Sequence, residues 1–372
     1  MNNLVDFLDY LKAILFILKK INKIINRDQN MWIFSSWMGG RKSDNPWYLY
    51  LDLKVIDPKL RLIWIVKDRS LHNENEETYY YLSEKGIEAQ LECGVSFCSH
   101  SIYSDFFGWL LLLGNVKRIQ LWHGAPYKKI MWDAKSSVLT KFKRIIFDRY
   151  DLIISSNEYL KNTISKAFRV NEEKVLVSGY PRVRGDLELR KHNDGINKIL
   201  YAPTFRDGSS ELYLFDRYGM NFDLFNRWLV KKKKYLYIRL HPKDILSGEN
   251  KKSIENASNI FIDDSLDIYE SLWKYETLIT DYSSIMFDYL AYEKRIIFAP
   301  FDFDMYSKIH RGVYFDYSEI SVQPLAKDWQ QVLVSLESEY DYSKLNDVIK
   351  KFGQNKKLNS SELIFKRVKG LF

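Results

Sequence analysis

The sequence predicts an α/β protein of two Rossmann-like domains facing a cleft, preceded by an amphipathic helix. Three observations lead there. Short apolar runs alternate with helix-patterned segments from Met31 onward, the pattern of a parallel sheet with crossover helices. The alternation runs twice, on either side of a polar, basic stretch at 184–198 that reads as a linker. At roughly 150 residues per domain, 372 residues favour two domains over one. The expected division is an amphipathic helix at 1–27, a first domain at 28–190 and a second at 191–372 that includes the C-terminal helices.

Composition narrows the class further. A chain that is 46% hydrophobic and 28% charged, with 16 Gly and 8 Pro, is globular rather than fibrous, collagenous or disordered. Cys93 and Cys98 cannot build a disulfide framework, which points to a reducing cytosol. The formal charge of +8 favours an anionic partner. A nucleic acid is not expected, because the basic residues are dispersed instead of forming one arginine-rich or aromatic-interleaved face. No signal peptide is evident, and no segment approaches the roughly 18 to 20 apolar residues that cross a bilayer. The expectation is a soluble or peripheral protein.

Residues 2–27 read as one helix, since Leu4, Leu8, Leu11, Leu15, Leu18, Ile21 and Ile25 recur at spacings of three and four. Lys12, Lys19, Lys20, Lys23 and Arg27 outweigh Asp6 and Asp9 and leave a net charge of +3. Such a helix either lies in a membrane interface with its lysines near anionic headgroups, or packs on its own domain.

In the first domain the apolar runs at 32–35, 62–66, 118–122, 152–155 and 174–177 predict strands. Helical patterns fall at 47–55, 76–85, 138–147 and 158–167. In the second, strands are expected at 199–202, 235–240, 260–262, 277–280 and 295–298, and helices at 222–230, 283–292, 329–336 and 342–352. Open parallel sheets bind ligands at the carboxyl ends of their strands, so chemistry is sought there.

His123 and His241 each follow a predicted strand, one in each half. An imidazole at such a position can act as base or donor at neutral pH. Gly124 permits close approach of backbone or substrate, and Pro126 and Pro242 stiffen the two turns. After the strand ending at Thr280, Asp281 or Ser283 can cap a helix beginning near Ser284, whose first turn and serine hydroxyls suit a phosphate. Arg239 stands two residues before His241 and shares its face on an extended strand, while Arg206 and Arg182 follow strand ends. Together these guanidinium groups can neutralise a diphosphate without metal. The pair Asp302 and Asp304 is a weak metal motif, and Cys93, Cys98 and His100 lack a fourth ligand, so no metal site is expected.

The ordered motifs His123-Gly-Ala-Pro-Tyr-Lys-Lys, Gly179-Tyr-Pro-Arg, Tyr201-Ala-Pro-Thr-Phe-Arg-Asp, Arg239-Leu-His-Pro and Thr280-Asp-Tyr-Ser-Ser-Ile-Met-Phe-Asp resemble those of the CDP-glycerol glycerophosphotransferases. These are the wall teichoic acid primases and polymerases and their capsule-making relatives. Ser43-Asp-Asn-Pro and Arg311-Gly-Val-Tyr-Phe extend the resemblance across about 31–320. It implies a glycosyltransferase-B-like fold, with the acceptor chiefly on the first domain and the CDP-alcohol chiefly on the second. By the same resemblance His123 matches the general base, Arg239 and His241 the holders of the diphosphate, and Asp281, Ser283 and Ser284 the phosphate-proximal turn. His241 is counted as catalytic with His123, and Arg182, Thr204, Arg206, Asp288, Gly124 and Asn45 are expected to bind substrate. Two departures are Ala125, where the commoner form has threonine, and Ser321-Val-Gln-Pro, which lacks a Gly-Pro pair and bears on acceptor choice.

The implied activity is transfer of glycerol phosphate from CDP-glycerol to a hydroxyl of a polyprenyl-diphosphate-linked saccharide or teichoic acid acceptor, with release of CMP. Such an enzyme works peripherally at the cytoplasmic face of the bacterial membrane, against an anionic lipid surface; CDP-glycerol is its donor substrate, no cofactor is called for, and a divalent metal is left open. That setting favours the interfacial role for 2–27. The length shows no added module for holding a growing chain, which favours single addition. A CDP-ribitol ribitolphosphotransferase and a nucleotide-sugar glycosyltransferase of the same fold are the alternatives.

Overall fold

The computed structural model describes residues 27–183, 197–206, 212–241, 243–303, 312–355 and 358–372. The expected N-terminal helix up to residue 26, all but the end of the expected linker, and Asp207, Pro242, Asp304 and Arg311 lie outside the described residues. The chain divides into two compact units. One takes in the described residues through His123, then 135–183, then the stretch from Asn355 to Phe372; the other takes in Gly124–Ala134 and the described residues from 197 to Gln354. The short segment after His123 therefore belongs with the second unit, and the last helix with the first.

Among the described residues the first unit contains β1 (Asp28–Phe34), β2 (Arg61–Val66), β3 (Thr78–Tyr80), β4 (Cys93–Cys98), β5 (Lys117–Gln120), β6 (Leu152–Ser155) and β7 (Val175–Val177). They form one sheet in the order β3-β2-β1-β4-β5-β6-β7, and every pairing is parallel. Strands covered on both faces read as unbroken apolar runs, as Trp32-Ile-Phe and Leu62-Ile-Trp-Ile-Val do. Their aromatics build the core: Phe34 stacks nearly parallel on Phe97 at 4.5 Å and on Trp64 at 6.2 Å. The helices are α1 (Asp44–Ile56), α2 (Glu84–Glu92), α3 (Ile102–Asp105), α4 (Val138–Phe147) and α5 (Glu158–Phe168).

Two expectations change here. The helix read at 76–85 is instead β3, and α2 starts only at Glu84, where the Ser83 hydroxyl accepts from the Gly86 N–H at 3.1 Å. A run of three tyrosines favours a buried strand, and tertiary packing outweighs the helical spacing. The strand β4 went unread because Cys-Gly-Val-Ser-Phe-Cys is short and broken by glycine. That glycine has to be there, since a Cβ at Gly94 would meet the Asp28 carbonyl oxygen at 2.7 Å. Both cysteines are core residues of this strand, and burial pushes the Cys93 thiol up to about 11.

The second unit holds β8 (Lys198–Ala202), β9 (Tyr235–Ile238), β10 (Ile260–Ile262), β11 (Thr277–Thr280) and β12 (Arg295–Phe298), all parallel, in the order β10-β9-β8-β11-β12. Its helices are α6 (Phe222–Lys232), α7 (Gly248–Asn256), α8 (Ile285–Tyr289), α9 (Trp329–Glu337) and α10 (Tyr342–Phe352). Trp329 centres the core, packed on Tyr201, Phe215 and Phe225, with its indole N–H donating to the Leu214 carbonyl at 2.9 Å. The last helix, α11 (Ser360–Lys369), packs on α1 of the first unit, where the Ser361 hydroxyl donates to Asp52 at 2.6 Å.

Both sheets reverse their winding beside their first strand, between β1 and β4 in one and between β8 and β11 in the other. Ligand crevices of open α/β sheets form at such points, outside the carboxyl ends of the strands.

Candidate active site

In the first unit His123 lies three residues past β5, on a turn held from several sides. Its neighbour Trp122 is left-handed at φ 52, a conformation that costs a non-glycine residue about 1–3 kcal/mol and persists only where surroundings enforce it. Here the Trp122 N–H donates to the Gln120 side-chain oxygen at 2.9 Å, and its carbonyl accepts from Asn45 Nδ2 at 3.1 Å. Gly124 follows at φ 140, which favours glycine.

The His123 ring is fixed as well. Its Nδ1 lies 2.9 Å from the carbonyl oxygen of Ser99, past the end of β4. A carbonyl only accepts, so Nδ1 carries the proton and the neutral ring keeps its lone pair on Nε2. One face stacks on His100 at 4.4 Å and 13°, and Trp122 lies 4.2 Å away.

Two further motifs meet behind this turn. Asn45, fully buried, also donates to the Leu121 carbonyl at 3.0 Å and accepts from the Arg182 N–H at 3.4 Å. Arg182 is 1% exposed and forms a 2.5 Å ion pair with Asp44. Asn45 thus donates to the backbone on either side of the peptide before the histidine, and Arg182 pairs with a buried carboxylate behind the same turn.

In the second unit the ends of β8 and β11 are tied at the switch point. The Thr204 N–H donates to Asp281 at 2.8 Å, and Asp281 also accepts from the Tyr282 N–H at 2.5 Å. Arg206, 3% exposed, reaches Asp281 at 2.7 Å and grips Asp302 through two bonds of 2.8 Å. It also donates to the Thr204 carbonyl. Asp302 further accepts from Tyr213 at 2.7 Å and Tyr282 at 2.8 Å. Burial works against ionisation of Asp302, but the guanidinium outweighs it and holds the carboxyl below its usual range. Arg206 is thus closed between two buried carboxylates and ties the ends of β8 and β11 together. Asp302 is its bidentate partner. Among the described residues no cluster of histidine, cysteine and carboxylate fits a metal.

Neither Asp281 nor Ser283 caps α8. Ser284 holds the first position in helical conformation with no side-chain cap, and Ser283 and Ser284 are both half-buried. Asp288 is buried within α8, where it accepts from the Tyr269 hydroxyl at 3.1 Å.

His241 is set in the opposite sense to His123. Its Nδ1 accepts from the Lys243 N–H at 3.2 Å, so the neutral ring carries its proton on Nε2. Its own N–H donates to Asp244 at 2.9 Å, and the ring packs on Phe205 at 4.5 Å. Arg239 lies half-buried, 3.3 Å from Asp263 and 2.8 Å from the Ser265 hydroxyl. The segment after Gly124 pairs with the second unit's Gly312–Tyr314, through Lys129 N–H to Gly312 at 2.7 Å and Tyr314 N–H to Tyr127 at 2.8 Å.

The unread participants are Ser99, His100 and Asp105, all beside a strand that the sequence did not reveal. A histidine two residues past the apolar run that ends at Cys98 was the available signal.

Comparison with known proteins adds the following. The model of the family described as CDP-Glycerol:Poly(glycerophosphate) glycerophosphotransferase matches residues 17–370. A teichoic acid poly(glycerol phosphate) polymerase of Staphylococcus epidermidis is 31% identical over 325 residues, which is 77% of this chain; the chain spans only 42% of that protein's length. A teichoic acid glycerol-phosphate transferase of Staphylococcus aureus is 27% identical, over 86% of this chain and 85% of its own. Among solved structures, a variant of the wall teichoic acid polymerase TagF with CDPG is 26% identical, with a TM-score of 0.75 over 99% of both chains.

Proposed function

The chain belongs to the CDP-glycerol:poly(glycerophosphate) glycerophosphotransferase family, and from that premise we propose that it transfers glycerol phosphate from CDP-glycerol to a hydroxyl of a polyprenyl-linked acceptor. The product is a phosphodiester of a teichoic acid or related surface polymer, and CMP leaves. The observation that carries the mechanism is the opposite setting of the two histidines, with a lone pair on Nε2 of His123 and a proton on Nε2 of His241.

The acceptor oxygen attacks the β-phosphorus in line, a new P–O bond forms, and the bond from the β-phosphorus to the bridging oxygen breaks. His123 Nε2 takes the acceptor's proton, which as general base catalysis is worth about 10² to 10⁴ in rate. The Nε2–H of His241, the Arg239 guanidinium and the Ser283 and Ser284 hydroxyls stabilise charge on the phosphates, the larger share of catalysis in phosphoryl transfer. Arg206, Asp281 and Asp302 tie together the segments after β8, β11 and β12, from the second of which Ser283 and Ser284 project.

The acceptor's lipid places the enzyme peripherally at the cytoplasmic face of the bacterial membrane. Among the described residues no helix is long and apolar enough to cross a membrane. A surface feature supports this placement: Val138, Leu139, Phe142 and Ile145 on α4 are 54–85% exposed, and Phe147 is buried. Lys141 and Lys143 flank that outward apolar face on the helix, suited to anionic headgroups.

The deciding experiment offers CDP-glycerol, CDP-ribitol and a set of sugar nucleotides with a lipid-like acceptor, and reads CMP release and product mass. CMP with CDP-glycerol and a mass gain of one glycerol phosphate is expected; turnover of a sugar nucleotide alone would replace the proposal. CDP-ribitol is included because a teichoic acid poly(ribitol-phosphate) polymerase of Bacillus spizizenii is also 27% identical, over 68% of this chain.

A further inference from the structure

We propose that Asp105 and His100 are positioning residues for His123, Asp105 by fixing the backbone that sets its tautomer and His100 by supplying the flat surface that sets its tilt. This rests on the role of His123 proposed above.

Asp105 closes α3 and is fully buried. Its Oδ2 accepts from the N–H groups of Ser99 and His100 at 2.9 and 3.0 Å, and its Oδ1 from the Met38 N–H at 2.9 Å. Burial pushes the carboxyl up, and His100 and the three N–H donors draw it back. A carboxylate accepting three backbone N–H groups in a dry site is not needed to satisfy one loop alone. It joins two segments at the first unit's switch point, the turn after β1 and the loop after β4.

Both segments carry an unusual load. After β1, Trp37 and Met38 are left-handed at φ 49 and 57. Outliers of this kind cluster where structure serves function. The Trp37 N–H is held by the Ser99 hydroxyl at 3.2 Å, and the Met38 N–H by Asp105. After β4, the Ser99 carbonyl is the acceptor of His123 Nδ1, and His100 supplies the ring stacked on it. The Gln120 amide donates to the His100 carbonyl at 2.9 Å, while its oxygen holds Trp122. Asp105 thus sets the direction of the Ser99 carbonyl, and that carbonyl decides which nitrogen of His123 holds the lone pair. When His123 becomes a cation, the face of His100 lies against it at cation–π distance.

Asparagine at 105 keeps one acceptor oxygen and puts an NH₂ in place of the other, so one of the two segments loses its acceptor and the tie that sets the Ser99 carbonyl is loosened. The full-length D105N and H100A variants are expected to lower kcat about 10²-fold, the scale of a small misplacement of a reacting group, with the KM for CDP-glycerol unchanged. H100F keeps a flat ring and is expected to recover most of the kcat lost in H100A. Unchanged kcat in D105N or H100A, a matched loss of donor affinity, or an H100F as poor as H100A would overturn the proposal. Nitrogen NMR of the His123 ring tests the same point without turnover. A single Nδ1–H tautomer is expected in the parent protein and a mixture in D105N; an Nε2–H tautomer in the parent rejects the inference whatever the reaction. Absence of CMP release from CDP-glycerol by the parent, with the tautomers as expected, would reject the proposed function and leave the positioning intact.

Discussion

Asn45 holds Trp122 by its carbonyl: Nδ2 donates at 3.1 Å to a residue whose backbone is left-handed and whose successor is His123. The same nitrogen donates to Leu121 at 3.0 Å, so one buried amide fixes the last two residues before the imidazole. Replacing Asn45 by alanine leaves those carbonyls without donors, at about 1–3 kcal/mol for each unsatisfied group. The expected outcome is a lower midpoint in thermal or urea unfolding together with a reduced kcat. Normal stability and normal kcat would show that the turn keeps its shape unaided.

His123→Ala should abolish turnover and leave CDP-glycerol binding nearly intact, because the proposed base touches the acceptor's proton and not the donor. Calorimetric titration beside a CMP assay separates the two. Full activity would remove His123 from the role.

Ser284→Ala should act on the other side, weakening the affinity for CDP-glycerol more than it slows the bound complex, since its hydroxyl is not spent on capping α8. Unchanged donor affinity contradicts the phosphate assignment of this turn.

Arg206→Met leaves Asp281 and Asp302 buried without their cation, and breaking such a cluster costs on the order of 3–5 kcal/mol. The pH dependence has a definite sign. In the parent the folded Asp302 has a carboxyl pKa below the unfolded value of 3.8, so it adds stability above that pH and loses it as pH falls through the folded value. In the variant the buried carboxylates favour protonation, so the stability gap should narrow on acidification. Urea midpoints of both proteins between about pH 3 and 7 check this, and a gap that widens in acid would reject the brace.

Phe142→Glu on the exposed face of α4 should reduce binding to vesicles of anionic lipid while leaving turnover of a soluble acceptor unchanged. The side chain is exposed, so folding should be unaffected. Full binding by the variant rejects α4 as the docking face.

The fold was legible where strands are buried on both faces. Runs such as Leu152-Ile-Ile-Ser and Thr277-Leu-Ile-Thr announce themselves, and the expected bounds match β6, β10, β11 and β12 residue for residue. Strand β4 and the tyrosine strand β3 were illegible, because a glycine and a misleading three-residue spacing hide them from local pattern. With β4 went Ser99, His100 and Asp105, which are functionally readable only once one knows which strand ends lie side by side.

The sequence by itself determined the family, the two parallel sheets and the strand-end positions of His123 and His241, because these follow from short-range pattern and motif order. Tertiary structure alone decided which partners the arginines meet. Arg182 and Arg206 read as phosphate ligands in one dimension, yet each meets a buried carboxylate from a distant segment, Asp44 for one and Asp281 with Asp302 for the other. Which carboxylate a guanidinium meets depends on partners 138, 75 and 96 residues away along the chain, and no local pattern reports them.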